Sequence, residues 1–260
     1  MGFFKIFDLD HGNDPGAANG ANRYIPITIL DANAIRRESA QTGDAIGQIV
    51  EEKSQQITAV LTQEVDGDLH DTLAYAIREI LRNAVEHSHS DCVRFCAQLY
   101  PRMDRVEVVI LDKGRGILPS FAMNPFVDPS TDREAINISL MPGVSGTAFK
   151  GSKINTRTDD WKNSGYGLYM TNRICRMGGD FFIGSNSAGV LLEDGKKIDY
   201  RFHHQGTLLR LTIKPSRVAN LKSRLLEFSE QGKASATRLR GTVLHPSTAS
   251  HMLTVDYQDS

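Results

Sequence analysis

The stretch Leu69–Ser88 constrains this chain most, because it reads as one long helix with a single apolar stripe. Leu69, Leu73, Ile77, Ile80 and Ala84 recur at spacings of three and four, with no Gly or Pro between them. That periodicity predicts an amphipathic helix that must bury one side. Two strand-like runs follow, Cys92–Leu99 and Arg105–Leu111, joined by the turn-forming Tyr100-Pro101-Arg102-Met103-Asp104. A helix with an apolar stripe and strands with an apolar face find burial by layering on each other.

The flanking segments extend the same plan. Tyr24–Leu30 reads as a strand, and Pro26 near its start suits an edge position. Asp31 is placed to cap a short helix behind it. Residues 43–64 read as a helix with Ile46, Ile49, Val50, Ile57, Val60 and Leu61 on one side. From Ile117 to Ser164 the chain is loop-like, with one short helix signalled by Thr131 and Glu134 at capping-box spacing. A helix over 167–177 stops at Gly178-Gly179, and strands are expected at 180–186, 188–193, 197–204 and 207–213. Ser216–Phe228 reads as an amphipathic helix, and 229–260 as poorly ordered. The expected fold is α+β, a two-layer sandwich whose mixed, mostly antiparallel sheet carries helices on one face. The expected organisation is a flexible lead-in at 1–22, a strand with helices at 23–66, a central domain at 67–214 and a C-terminal helix with tail at 215–260.

Composition removes several function classes. The 260 residues carry a formal net charge of −1, which offers no global attraction for nucleic acid. The basic residues of the C-terminal part, Lys214 to Arg240, read as a solvated face. No apolar run approaches a membrane span, and the N-terminus lacks a signal-peptide pattern, so a cytoplasmic protein is expected. Cys92, Cys96 and Cys175 have no zinc-like spacing and read as packed, reduced thiols.

The long helix also carries polar groups in an unusual place. With about 100° per residue and Leu69 at zero, Asn83 falls near −40° and Glu79 near −80°. They therefore edge the buried stripe and stack one turn apart. An Asn amide oxygen is a hard ligand suited to Mg²⁺, and a carboxylate one turn away can orient and deprotonate an attacking hydroxyl or water. Alone the pair is weak, because Glu-x-x-x-Asn arises about once by chance in a chain of this length.

Two glycine-bearing loops add to it. Asp112 ends an apolar strand and opens Asp112-Lys113-Gly114-Arg115-Gly116. Its carboxylate can accept from an exocyclic amine, while Gly114 and Gly116 allow backbone close to a flat ring. Asn163-Ser164-Gly165-Tyr166-Gly167-Leu168 precedes a helix, where backbone N–H groups and the helix dipole favour phosphate. The loop lacks the Lys-Ser/Thr of a P-loop.

Taken together these patterns resemble the GHKL superfamily of gyrase, heat-shock chaperone, histidine kinase and MutL ATPases. Glu79–Asn83 is similar to its N box, Asp112–Gly116 to its first glycine box and Gly165–Leu168 to its second. Gly206-Thr207, entering the last strand, is similar to a fourth element. The resemblance covers about 67–214 and implies a Bergerat fold that binds ATP with Mg²⁺. It implies that Asn83 holds the metal, Glu79 polarises the nucleophile, and Asp112 meets adenine beside Gly114 and Gly116. It implies phosphates at Gly165, Tyr166, Gly167 and Leu168, with Thr207 in the adenine pocket. The segment 117–164 would be the ATP lid, with Lys150, Lys153 and Lys162 in reach of phosphate. Arg82 departs from the acidic residue common there in gyrase- and MutL-like members; the neighbouring residues look closer to anti-sigma kinases and stand-alone bacterial ATPases.

Leu69-His70-Asp71 mimics a phospho-acceptor box, but it lies on the same helix, about 14 Å along the axis from Glu79. The expected activity is therefore ATP hydrolysis, with lid ordering that controls a protein partner. The alternatives are a Ser/Thr kinase of the anti-sigma type and a nucleotide sensor with little turnover. A homodimer stays open.

Overall fold

The computed structural model describes residues 9–12, 14, 22–150, 152, 165–218 and 221–237. Most of the expected lead-in at 1–22, the tail beyond 237, and the lysines Lys153 and Lys162 lie outside the described residues. The chain runs β1 (Tyr24–Asp31), α1 (Ala32–Thr42), α2 (Ile46–Thr62), α3 (Asp68–His87), β2 (Cys92–Tyr100) and β3 (Arg105–Asp112). It continues through α4 (Asp132–Ser139), α5 (Gly167–Cys175), β4 (Asp180–Glu193), β5 (Lys196–Ile213), α6 (Pro215–Val218) and α7 (Leu221–Ala236). The strands form one sheet in the order β1-β2-β3-β5-β4, and every pairing is antiparallel. The fold is α+β with an open sheet, the limiting case of the mostly antiparallel arrangement expected.

Local chemistry explains several boundaries. Asp31 caps α1, its carboxylate accepting from the Ala34 N–H at 2.8 Å. β1 lies at the sheet edge, and its register with β2 shifts between Ile25 and Thr28, around Pro26, which has no N–H to give. Thr131 caps α4 by accepting from Glu134 N. The Glu134 carboxylate accepts in return from the Ser130 backbone and hydroxyl, one residue earlier than a capping box would have it.

Two expectations need correction. The four strands expected over 180–213 are two long ones, because β4 and β5 pass their irregular points as register shifts at Ser185, Asn186 and Ala188, not as breaks. Residues 229–236, expected to be poorly ordered, are helical in α7. Their small and polar residues gave no strong local signal, but the helix docks on α5. Tyr169 Oη donates to the Phe228 carbonyl at 3.2 Å, the Arg173 guanidinium sits 4.6 Å over the Phe228 ring, and Gly232 packs against Tyr166 and Tyr169. Tertiary packing here outweighs propensity.

α3 is the spine of the molecule. The sheet, α2 and α5 all pack on it, so Arg78, Glu79 and Arg82 are buried as well as the stripe. Ile77, Ile80 and Leu81 are almost wholly enclosed, each contributing about 2–3 kcal/mol through apolar burial. Opposite, the two-residue period of β3 turns Val106, Val108, Ile110 and then Asp112 inward. On β5 the same parity aligns Thr207 with buried Leu209, Leu211 and Ile213. The strand tips thus carry an acid and a hydroxyl toward α3. Among the described residues no helix is long and apolar enough to cross a membrane.

Candidate functional site

A cavity with about 830 Å³ of empty space, open mouth included, lies between α3, the tips of β3 and β5, the start of α5 and the 117–146 loop.

At one end stands Asp112, 3% exposed. Its Oδ1 accepts from Gly114 N at 2.8 Å and Thr207 N at 3.3 Å. Burial pushes its pKa up, against the lowering effect of those donors and of His204. His204 Nε2 itself sits 2.8 Å from the Asp112 carbonyl. The loop after Asp112 is tied to the end of α3: Arg115 N donates to Ser88 O at 2.8 Å, and Arg115 Nε donates to His87 O at 3.0 Å. These bonds satisfy carbonyls that a helix end leaves open. Gly114 lies so close to Ser88 O that a Cβ there would overlap it. Ser185, wholly buried on β4, accepts from Ile117 N at 2.9 Å and fixes the loop's exit.

At the other end stands Glu79, 1% exposed. Its Oε2 accepts from Arg82 Nη2 at 3.0 Å, and its Oε1 lies 3.5 Å from Arg78 Nη2. Arg78 in turn pairs with Glu51 of α2 at 3.0 Å, and Arg82 with Glu86 at 3.9 Å. The result is an alternating row, Glu51, Arg78, Glu79, Arg82, Glu86. Burial works against the Arg82 charge, but Glu79, Glu86 and Tyr75 outweigh it and hold its pKa above the ordinary value. The half-buried His87 imidazole is pushed down to about 4 by burial first, then by Arg82, Arg115 and His89, and is neutral at physiological pH.

The start of α5 closes the cavity. Gly165 takes φ +71, a left-handed conformation, and a Cβ there would come within 2.6 Å of Val144 O. A Cβ at Gly167 would collide with Glu79 Oε2. Val144, Ser145 and Gly146 form the facing wall, held by Asn124 Nδ2 donating to Ser145 O at 2.7 Å.

The sequence model of the histidine kinase-, DNA gyrase B-, and HSP90-like ATPases matches residues 68–217, more than half of the chain. The chain belongs to this family. Among the curated proteins none matches it. ATP binding of the ATPase kind is what the family membership supports. The match begins where α3 begins and ends within α6, so the whole cavity lies inside it.

Of the residues singled out from sequence, Glu79, Asn83, Asp112, Gly116, Gly165, Gly167, Leu168 and Thr207 line the cavity. Tyr166 and Gly114 do not. The Tyr166 side chain turns into the core, edge-on to Tyr169 at 6.2 Å and under α7, and Gly114 packs behind the wall on Ser88. Lys150 is exposed and outside the lining. The cavity also recruits residues not singled out: Arg82, His87, Ser88, Ser120, Ser145 and Gly146. His87 and Ser88 carried a signal, one turn beyond Asn83; the loop residues carried none.

Proposed function

We propose that this ATPase-family domain hydrolyses ATP with Mg²⁺, and that closure of the 117–164 segment over the nucleotide controls a protein partner. The observation that carries the reading is the convergence on one cavity of a buried acid at a strand tip, a carboxylate–amide pair on α3 and a glycine-lined helix start. In this reading Asp112 accepts the adenine amine and Thr207 supports it. Gly165, Gly167 and Leu168 present the start of α5 to phosphate, where N–H groups and dipole favour anions.

The donor set limits which cation the site could hold. Among the described residues no cluster of three or more His, Cys, Asp or Glu could hold a metal. A lone amide fits only an ion that draws its other ligands from phosphate and water, which is the habit of Mg²⁺. When bound, magnesium neutralises phosphate charge as it develops. Asn83 would offer it the amide oxygen. Glu79, held by Arg82 and Arg78, would orient the attacking water and take its proton.

Calorimetry with ATP, with and without Mg²⁺, tests the site. Asn83→Ala is expected to lose magnesium-dependent ATP binding, and Glu79→Ala to bind ATP without releasing phosphate. Wild-type affinity in Asn83→Ala, or unchanged phosphate release in Glu79→Ala, refutes these roles. Labelled phosphate moving onto a partner protein would replace hydrolysis by a kinase reaction.

A further inference from the structure

We propose that Arg82 is a ligand for the terminal phosphate, oriented by Glu79, and that it lets this site tell a nucleoside triphosphate from a diphosphate. The inference rests on the nucleotide reading above.

Arg82 is 3% exposed and lines the cavity, one residue before Asn83. Only its Nη2 is spent in a hydrogen bond, on Glu79. Its Nε and Nη1 are buried and make no hydrogen bond among the described residues, although Nε lies 3.9 Å from Glu86. A guanidinium has five N–H donors in a fixed fork, and buried donors left unmet are costly. Arg82 lines the cavity, and an anionic oxygen there would supply the acceptor this fork lacks once the guanidinium turns its enclosed Nε and Nη1 toward it. Phosphate suits it, because two parallel N–H donors match two phosphate oxygens.

Charge points the same way. The row Glu51, Arg78, Glu79, Arg82, Glu86 holds three carboxylates against two guanidinium groups. A phosphate brought close to it meets net repulsion unless one guanidinium faces it directly, and among the two only Arg82 lines the cavity.

The helix axis says which phosphate. The Asp112 loop is bonded to His87 and Ser88 at the end of α3. Arg82 lies six residues before Ser88, about 9 Å along the axis, and Glu79 about 14 Å. With the base at Asp112, the far end of a phosphate chain meets Arg82 and Glu79, not the near end. Glu79 holds the guanidinium in place while its own charge opposes the phosphate.

The test is calorimetry of the full chain with Mg-ATP and with ADP, on wild type, Arg82→Gln, Arg82→Lys and Glu79→Gln. Arg82→Gln is expected to weaken ATP by about 10- to 100-fold and ADP by no more than about threefold, with Lys restoring part of the loss. Glu79→Gln is expected to tighten ATP several-fold, roughly three- to tenfold, because a repelling charge is gone. A structural ion pair would give neither the ATP-to-ADP difference nor the tightening. If Arg82→Gln does not fold, the charge-neutral double variant Glu79→Gln/Arg82→Gln measured against Glu79→Gln yields the same ratio. Equal losses for ATP and ADP, or no loss, overturn the Arg82 assignment while leaving the nucleotide site standing. A folded wild type that binds neither nucleotide overturns both.

Discussion

Asp112→Asn separates recognition from stability. In the wild type Oδ1 is already taken by the Gly114 and Thr207 N–H groups at 2.8 and 3.3 Å. That leaves Oδ2 as the atom an adenine amine would meet. An asparagine of the same shape keeps Oδ1 and its two backbone donors, but puts an NH₂ where Oδ2 was. A charge-assisted bond of about 1.5–3 kcal/mol is lost and two donors face each other, so ATP affinity should fall by roughly 10²–10³-fold. A base with a carbonyl at that position, hypoxanthine, accepts from the new amide, so inosine triphosphate should lose little or gain. The fold responds oppositely. Burial raises the Asp112 pKa in the folded state. A raised carboxyl stabilises below its unfolded value, and that contribution is lost as pH rises through the folded value, so at neutral pH the charge is a cost. Removing it should leave the apo melting temperature equal or higher. The assay is calorimetry with both triphosphates beside a thermal melt without nucleotide. An unchanged ATP-to-inosine-triphosphate ratio, or a melting temperature several degrees lower, refutes the reasoning.

Two further outcomes follow from the packing. Gly167→Ala places a Cβ on Glu79 Oε2 and must push a buried carboxylate off Arg82; denaturant unfolding should show a loss of about 2–4 kcal/mol, with phosphate release falling at least about tenfold. The His87 pKa, lowered from 6.5 to about 4, means the unfolded chain binds that proton first. Stability should therefore fall as pH drops from about 6.5 to about 4, by roughly 1–3 kcal/mol given the partly exposed ring, and His87→Gln should remove that part of the slope in pH-dependent melts.

Much of the site was legible because two short periodicities report direction. The alternation that turns Val106, Val108 and Ile110 inward also turns Asp112 inward, and helical spacing sets Glu79 and Asn83 beside the stripe of α3. Periodicity reports direction relative to one neighbour, and α3 has several. Arg82 falls near −140° from Leu69, on the side away from the stripe. It is nonetheless buried, because α2 and α5 cover that side. Tyr166 lies off the cavity lining for a related reason. Sharing a loop with Gly165 and Gly167 says nothing of where its ring goes, and α7, distant in sequence, draws it into the core. The 180–213 strands were mis-divided because a register shift keeps a ladder going where propensity reads a turn.

The arrangement of α3 has a consequence for how the two ends of the cavity are coupled. Its last turn is bonded to the Asp112 loop through Arg115, and its middle meets the start of α5 through Glu79 and Gly167. Both ends are therefore measured off one helix, whose rise of about 1.5 Å per residue does not stretch. The spacing along α3 between the turn that holds the Asp112 loop and the residue that meets Gly167 is therefore set by residue count. What can vary is the orientation of the polar row, because Glu51 of α2 holds Arg78, and Arg78 abuts Glu79. Residue 51 lies outside the 68–217 family match. On the proposed reading, the matched part would set where base and phosphate sit, while the N-terminal helix pair, outside the match, bears on the carboxylate between them.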